Sequence, residues 1–438
     1  MSKPLVAVVG RPNVGKSTFF NKVTGKKISI VQDKPGVTRD RIYCDAEWCG
    51  KAFTLIDTGG IELKSQDEMW RHIKTQAEIA VETADVVLFM CDVKGGITAS
   101  DEEVADMLRR SNKPVVLAVN KMDNFDYLLL SDYYTLGLGE PFAISCEQGK
   151  GIGDLLDEVC SHFEKVDESE DAERIKIAIV GKPNAGKSSL TNKILGYDRT
   201  IVSNIAGTTR DSIDTYFDFN DKKFTIIDTA GIRKKRSVNE DVEYYSVIRA
   251  LASIRRADVC ICVVDSSVGL TEQDVKILGY VHEQGKPSVI VMNKWDAVEK
   301  DTFTVETFKQ KLNQDLAFMD YYRVVFASAK TGQRVEKVLN EALLSYENAQ
   351  KRITTGMLND IITDAVRTTE PPTKHGRRLK IYYAVQDGVV PPTFVLFVNS
   401  HELMHFSYKR YLENTLRNTL DFKGTPIRIL VREKSEDD

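Results

Sequence analysis

At 438 residues, 42% hydrophobic and 28% charged, the chain has the balance of a soluble globular protein and is too long for one core; about three domains of roughly 150 residues suit it. Its formal net charge of −4 excludes a globally basic polyanion binder, so any nucleic-acid surface must be local. Seven cysteines show no CxxC pairing and no histidine at zinc spacing, which excludes a disulfide or zinc scaffold and fits reduced thiols.

The N-terminal MSKPLVAVVG runs straight into a strand-like segment with no charged n-region or cleavage site, and no window approaches about 18 uninterrupted apolar residues. A cytoplasmic monomer, off the membrane, is expected. Strand patterns follow at Leu5–Val9, 53–56, 86–91 and 115–119, and helical patterns after Lys16, at 69–83 and at 101–110. Alternating strand and helix with nearly continuous apolar strands predicts an α/β fold, a doubly wound and mostly parallel sheet. Residues 1–163 form this first domain. Residues 164–174 are acidic and poor in large apolar groups, the composition of a linker. The same element order returns over 175–350.

The final stretch, 351–438, breaks the pattern. Ile353, Met357, Ile361 and Ala365 recur at helical spacing. Leu379, Ile381, Tyr383 and Val385 alternate like a strand, and 393–398 gives another. A helix from about Glu402 to Leu420 and a strand at 426–431 complete an α-β-β-α-β order, a small α+β domain.

The first two domains are copies. GRPNVGKS at Gly10, Arg11, Pro12, Asn13, Val14, Gly15, Lys16 and Ser17 returns 171 residues later as Gly181, Lys182, Pro183, Asn184, Ala185, Gly186, Lys187 and Ser188. GVTRD (36–40) and DTGGI (Asp57, Thr58, Gly59, Gly60, Ile61) return at the same offset, the latter as Asp228, Thr229, Ala230, Gly231 and Ile232. NKMD at Asn120 to Asp123 returns as NKWD at Asn293 to Asp296, offset by 173.

GxxxxGK[ST] between a strand and a helix is the P-loop, whose backbone N–H groups and helix N-terminus cradle phosphate. Two matches in register exclude chance. Lys16 and Lys187 are placed to reach the β- and γ-phosphates, and Ser17 and Ser188 to ligate Mg²⁺. The base is decided by NKxD. A carboxylate accepts from both guanine N1–H and the exocyclic amine, a donor pair adenine lacks, so Asp123 and Asp296 select GTP. Asn120 and Asn293 tie that loop to the P-loop, and Lys121 and Lys294 lie over the base. Asp57 and Asp228 supply an acid near Mg²⁺, and Gly60 and Gly231 offer N–H groups to the γ-phosphate. Thr38 and Thr209, 21 residues after each P-loop serine, are the candidate switch threonines and Mg²⁺ ligands. Ser145 and Ser328-Ala329-Lys330 are the candidate base-edge loops, the second the better match.

On these motifs the whole chain resembles the bacterial double-Era-like GTPases, called Der or EngA: two P-loop domains in tandem and a C-terminal KH-like domain. The resemblance implies a GTP-hydrolysing ribosome-biogenesis factor acting on the 50S ribosomal subunit or its precursor and on rRNA. A GTP-timed protein scaffold is the alternative from another class; tRNA-modifying and transport GTPases would need domains or spanning helices that the sequence lacks. Ile61 and Ile232 stand where Ras-like enzymes carry a water-orienting glutamine. Asn13 and Asn184 match relatives in which K⁺ activates hydrolysis, so K⁺ is expected as an activator beside Mg²⁺. The second copy alone carries Arg233-Lys234-Lys235-Arg236, either a solvated face or a nucleotide-sensitive RNA contact. The tail lacks the GxxG clamp of KH domains; Lys374, Arg377, Arg378 and Lys380 are its best basic cluster, beside Tyr382 and Tyr383.

Overall fold

The structure, a computed structural model, describes residues 3–24, 43–57, 74, 77–78, 80–111, 113–123, 127–163, 174–196, 201–202, 214–228, 241–374 and 376–433. The chain divides into two compact units, Met1–Ser169 and Glu170–Asp438.

In the first unit, β1 (Leu5–Val9), α1 (Lys16–Thr24), β2 (Tyr43–Trp48), β3 (Lys51–Asp57), β4 (Val86–Asp92), α2 (Ala99–Arg110), β5 (Val115–Asn120), α3 (Tyr127–Ser131), β6 (Pro141–Ala143) and α4 (Ile152–Ser161) follow in chain order. The sheet runs β2-β3-β1-β4-β5-β6. Only the edge pair β2–β3 is antiparallel. Helices cover both faces, so alternate residues of one strand feed separate cores. Val6 and Val8 pack with Phe19 and Leu55, whereas Ala7 and Val9 pack with Phe89 and Val104. That double burial is why β4 reads as an unbroken apolar run.

The second unit repeats this with β7 (Ile175–Val180), α5 (Lys187–Leu195), β8 (Ile201–Val202), β9 (Thr215–Phe219), β10 (Lys222–Ile226), α6 (Asp241–Arg256), β11 (Val259–Asp265), α7 (Glu272–Glu283), β12 (Ser288–Asn293), α8 (Thr304–Asp315), β13 (Arg323–Phe326) and α9 (Val335–Gln350). Its sheet order is β13-β12-β11-β7-β10-β9-β8, with β8 and β9 antiparallel at one edge.

The same unit ends in α10 (Thr355–Thr368), a ribbon of β14 (Thr373–Lys374) and β15 (Arg377–Arg378), then β16 (Ile381–Gly388), β17 (Thr393–Val398), α11 (Phe406–Leu420) and β18 (Arg428–Glu433). The sheet is β16-β17-β18, antiparallel then parallel. Apart from the ribbon, this is the expected α-β-β-α-β order. Three details differ from expectation. The buried face of α10 is Leu358, Ile362 and Ala365; Met357, one position earlier, is exposed. In β16 a register shift between Ile381 and Tyr383 turns the strand, so Ala384 points into the core and Tyr383 does not. The last long helix also starts later, because His401–Leu403 form a separate 3₁₀ turn and the His405 ring accepts from Ser407 N–H as the cap of α11.

This C-terminal segment is hydrogen-bonded through its backbone to the second sheet. Ser288 N–H donates to Gly424 O at 2.7 Å, and Gly424 N–H donates to Tyr321 O at 2.7 Å.

Candidate functional site

The turn from β1 into α1 and the turn from β7 into α5 carry the two P-loops. Both asparagines at their tips adopt left-handed backbone, Asn13 at φ 66° and Asn184 at φ 63°. This is a conformation asparagine tolerates better than most residues. With the tip turned this way, each P-loop lysine reaches back over the loop. Lys16 Nζ donates to Gly10 O at 2.5 Å and Arg11 O at 2.8 Å; Lys187 Nζ donates to Gly181 O and Lys182 O, both at 2.8 Å. An ammonium held by neutral carbonyls keeps its charge available to an anion. Burial draws the Lys187 ammonium down to about 8, with the Asp274 carboxylate opposing that fall.

The NKxD loops are joined to the P-loops by one side chain each. Asn120 Nδ2 donates to Val14 O at 2.7 Å while its Oδ1 accepts from Cys146 N–H at 3.0 Å. Asn293 does the same with Ala185 O at 2.9 Å and Ala329 N–H at 3.0 Å. Each asparagine therefore fastens three loops. The approach leaves no room at Gly15 (φ 99°) or Gly186 (φ 98°), where a Cβ would stand 2.2 Å from the asparagine Nδ2.

Beyond the asparagines the chain turns through Lys121 (φ 66°) and Lys294 (φ 59°), whose ammonium groups reach Asp92 at 2.6 Å and Asp265 at 2.5 Å. Burial alone would raise the Asp265 carboxyl; hydrogen bonds from Lys294 and Ser267 outweigh it and hold the group below the usual range. Asp123 is held low first by the hydrogen bond from Ser145 Oγ at 2.9 Å, and Asp296 is held low first by Ser328. The Ser145 loop thus carries the same contact as the Ser328 loop, although its sequence, Ser-Cys-Glu, matches the motif less well.

Ser17 and Ser188 lie in the first turns of α1 and α5. Asp57 ends β3 directly opposite Val8 of β1, two residues before the P-loop opens. In the second unit Asp228 N–H donates to Asp214 Oδ1 at 3.0 Å, and Asp214 in turn holds Arg256 at 2.5 Å. Thr38, Thr58, Gly59, Gly60, Ile61, Thr209, Thr229, Ala230, Gly231, Ile232 and the basic run 233–236 lie outside the described residues.

Four carboxylates at the sites carry no motif of their own: Asp92 and Asp265 under the NKxD lysines, and Asp101 and Asp274 behind the P-loops. Each pair is offset by 173, the same as NKxD, so aligning the two copies would have found them. In the tail, Arg377 and Arg378 sit exposed on the β14–β15 ribbon, with Arg378 paired to Glu370 at 3.0 Å. The Tyr383 ring stacks on Phe397 at 4.3 Å, which makes it a packing residue. Among the described residues no helix is long and apolar enough to cross a membrane.

Two family models match the chain. One, described as a 50S ribosome-binding GTPase, matches residues 5–121 and again 176–294. The other, a KH-domain-like C-terminal domain of EngA bacterial GTPase enzymes, matches 352–432. A curated protein from Acetivibrio thermocellus named GTPase Der is 56% identical, with the alignment covering 100% of both chains. Proteins of the same name from Ruminiclostridium cellulolyticum, 56% identical, and Clostridium perfringens, 55% identical, are likewise matched over their full lengths.

Proposed function

The chain belongs to the GTPase Der family, a GTP-binding and GTP-hydrolysing enzyme, and from that membership we propose a role in assembly of the large (50S) ribosomal subunit through a GTP/GDP switch. The observation that carries most weight is the doubled asparagine tie, Asn120 to Val14 and Asn293 to Ala185. A phosphate loop and a base loop locked together, twice, make two sites that each read both ends of a nucleotide. We read residues 1–163 and 175–350 as the two GTPase domains, 164–174 as their linker and 351–438 as the KH-like domain.

In each site the P-loop amides of 10–17 or 181–188 hold the phosphates, and Lys16 or Lys187 supplies positive charge. The Asp123 and Asp296 carboxylates are kept ionised by Ser145 and Ser328, and so stand ready to accept from the two guanine donors. Lys121 and Lys294, braced by Asp92 and Asp265, flank the base. Ser17, Thr38 and Asp57, and Ser188, Thr209 and Asp228, are hard oxygen donors of the kind Mg²⁺ takes. They would hold Mg²⁺ together with the nucleotide, and its charge would offset that of the phosphates. Isoleucine at 61 and 232 cannot hydrogen-bond the attacking water. Asn13 and Asn184, turned outward at the loop tips, are the groups through which K⁺ would act instead.

The partner proposed is the 50S subunit or its precursor, contacted at rRNA, by a monomer in the cytoplasm. Sedimentation of cell extract with the protein in a non-hydrolysable GTP analogue or in GDP tests this. Co-migration with large-subunit particles in the analogue alone supports the reading. A profile unchanged by nucleotide, or a peak away from ribosomal particles, rejects it.

A further inference from the structure

Each P-loop is braced from behind by a buried carboxylate on the helix that follows β4 or β11, and the two braces are built unequally. Asp101 is 1% exposed and Asp274 2% exposed. Both complete a capping box with Thr98 or Thr271, which fixes them at the start of α2 and α7. From there each meets the second residue of its P-loop. Arg11 Nε donates to Asp101 Oδ1 at 3.0 Å, and Arg11 Nη2 donates to Gly96 O at 2.9 Å. In the second copy the partner is Lys182, whose Nζ lies 3.3 Å from Asp274 Oδ2 and 3.5 Å from Thr271 Oγ1. Asp274 Oδ1 is buried with no hydrogen-bond partner among the described residues.

We propose that Asp101 and Asp274 are positioning residues for nucleotide retention, and that lysine at 182 in place of arginine leaves the second P-loop the less firmly held. The mechanical chain is short. The carboxylate fixes residue 11 or 182; the carbonyl of that residue accepts from Lys16 at 2.8 Å or Lys187 at 2.8 Å. A loop that rocks at residue 182 therefore displaces the ammonium that meets the phosphates. The planar guanidinium of Arg11 holds Asp101 at 3.0 Å and Gly96 O at 2.9 Å in a fixed fork, whereas the freely rotating ammonium of Lys182 meets Asp274 and Thr271 only at 3.3 and 3.5 Å, so arginine constrains direction as well as distance. At 182 an arginine would find Asp274 Oδ1 open and Gly269, the counterpart of Gly96, on the same loop as before.

This inference rests on the two pockets being nucleotide sites, and the test separates the two. Release of a fluorescent GDP analogue is followed in the full chain, with one site silenced by Gly15→Ala or Gly186→Ala. Lys182→Arg should slow release from the second site, and Arg11→Lys should speed release from the first, each by roughly three- to tenfold, the scale of one net hydrogen bond, because the exchange keeps the charge and alters only the bonding geometry. Asp274→Asn should speed release and abolish the gain from Lys182→Arg; unchanged thermal unfolding would show the domain intact. A merely structural aspartate would not yield slower release in a gain-of-bond variant. Failure of the unsubstituted protein to hold two nucleotides overturns the site reading itself. Two nucleotides held, with release indifferent to both exchanges, overturns the brace alone.

Discussion

The guanidinium of Arg417 lies over the ring of Tyr321, 4.7 Å from its centroid, and joins α11 of the C-terminal segment to the loop before β13. Tyr321 is 2% exposed, and its hydroxyl is 2.9 Å from His282 Nδ1 at the end of α7. Arg417 also donates to Phe422 O at 2.9 Å and Thr425 O at 2.8 Å, which orders the turn whose Gly424 bonds the second sheet. Arg417→Ala removes the cation–π contact and the guanidinium bonds to Phe422 O and Thr425 O, leaving Phe422 O only its long bond from Thr425 N–H at 3.4 Å. The expected loss is about 2–4 kcal/mol. In thermal unfolding of the full chain this should appear as a lowered or separated transition of the second unit, with the first unit's transition unmoved.

Gly186→Ala should remove one nucleotide site and spare the other. The substituted Cβ would stand 2.2 Å from Asn293 Nδ2, and the left-handed φ of 98° disfavours any side chain. Either the asparagine tie or the loop must move. Calorimetric titration with GDP should fall from two nucleotides per chain to one. Gly15→Ala should give the same stoichiometry from the other site, and the double variant none.

Much of this architecture could be read from the chain because duplication printed each motif twice at fixed offsets. The P-loops and NKxD loops are contiguous, so local spacing finds them. The braces are not: Arg11 and Asp101 stand 90 residues apart, and an aspartate in the first turn of a helix reads as ordinary capping. The phase of β16 was hidden for a different reason. Strict alternation puts Tyr383 and Leu379 on one face, and only the register shift after Ile381 places Ala384 inward. The KH-like segment likewise conceals the ribbon of β14 and β15, since two-residue strands carry no periodicity.

Thiol chemistry should divide the cysteines sharply. Burial pushes Cys146 up to about 12, Cys160 to about 11 and Cys260 to about 12, and Cys91 and Cys262 are also raised by burial first. Cys49 is exposed. Alkylation at pH 8 should therefore label Cys49, and more slowly the half-buried Cys44, while these five react only after denaturation. Peptide mass spectrometry before and after urea reads the outcome directly; early labelling at Cys260 or Cys262 would contradict the packing of β11.

Base selection should be transferable by one atom pair at each site. Asp123 and Asp296 present two acceptors, matched to guanine N1–H and its 2-amine. Asparagine presents one acceptor and one donor, which suits xanthine, where an oxygen replaces that amine. Asp296→Asn should weaken GDP at the second site by about a hundredfold, from one charge-assisted bond lost and one donor facing a donor. Xanthosine diphosphate should bind the same variant better than the parent does. Because Ser328 supports the Asp296 carboxylate through its hydroxyl, which can also donate to an amide oxygen, the loop has reason to keep its shape. Competition titrations of GDP, xanthosine diphosphate and ADP against a fluorescent analogue, on Asp123→Asn and Asp296→Asn separately, should show the switch at one site and guanine selectivity retained at the other. Loss of all three nucleotides together would mean the aspartate holds the loop and not the base.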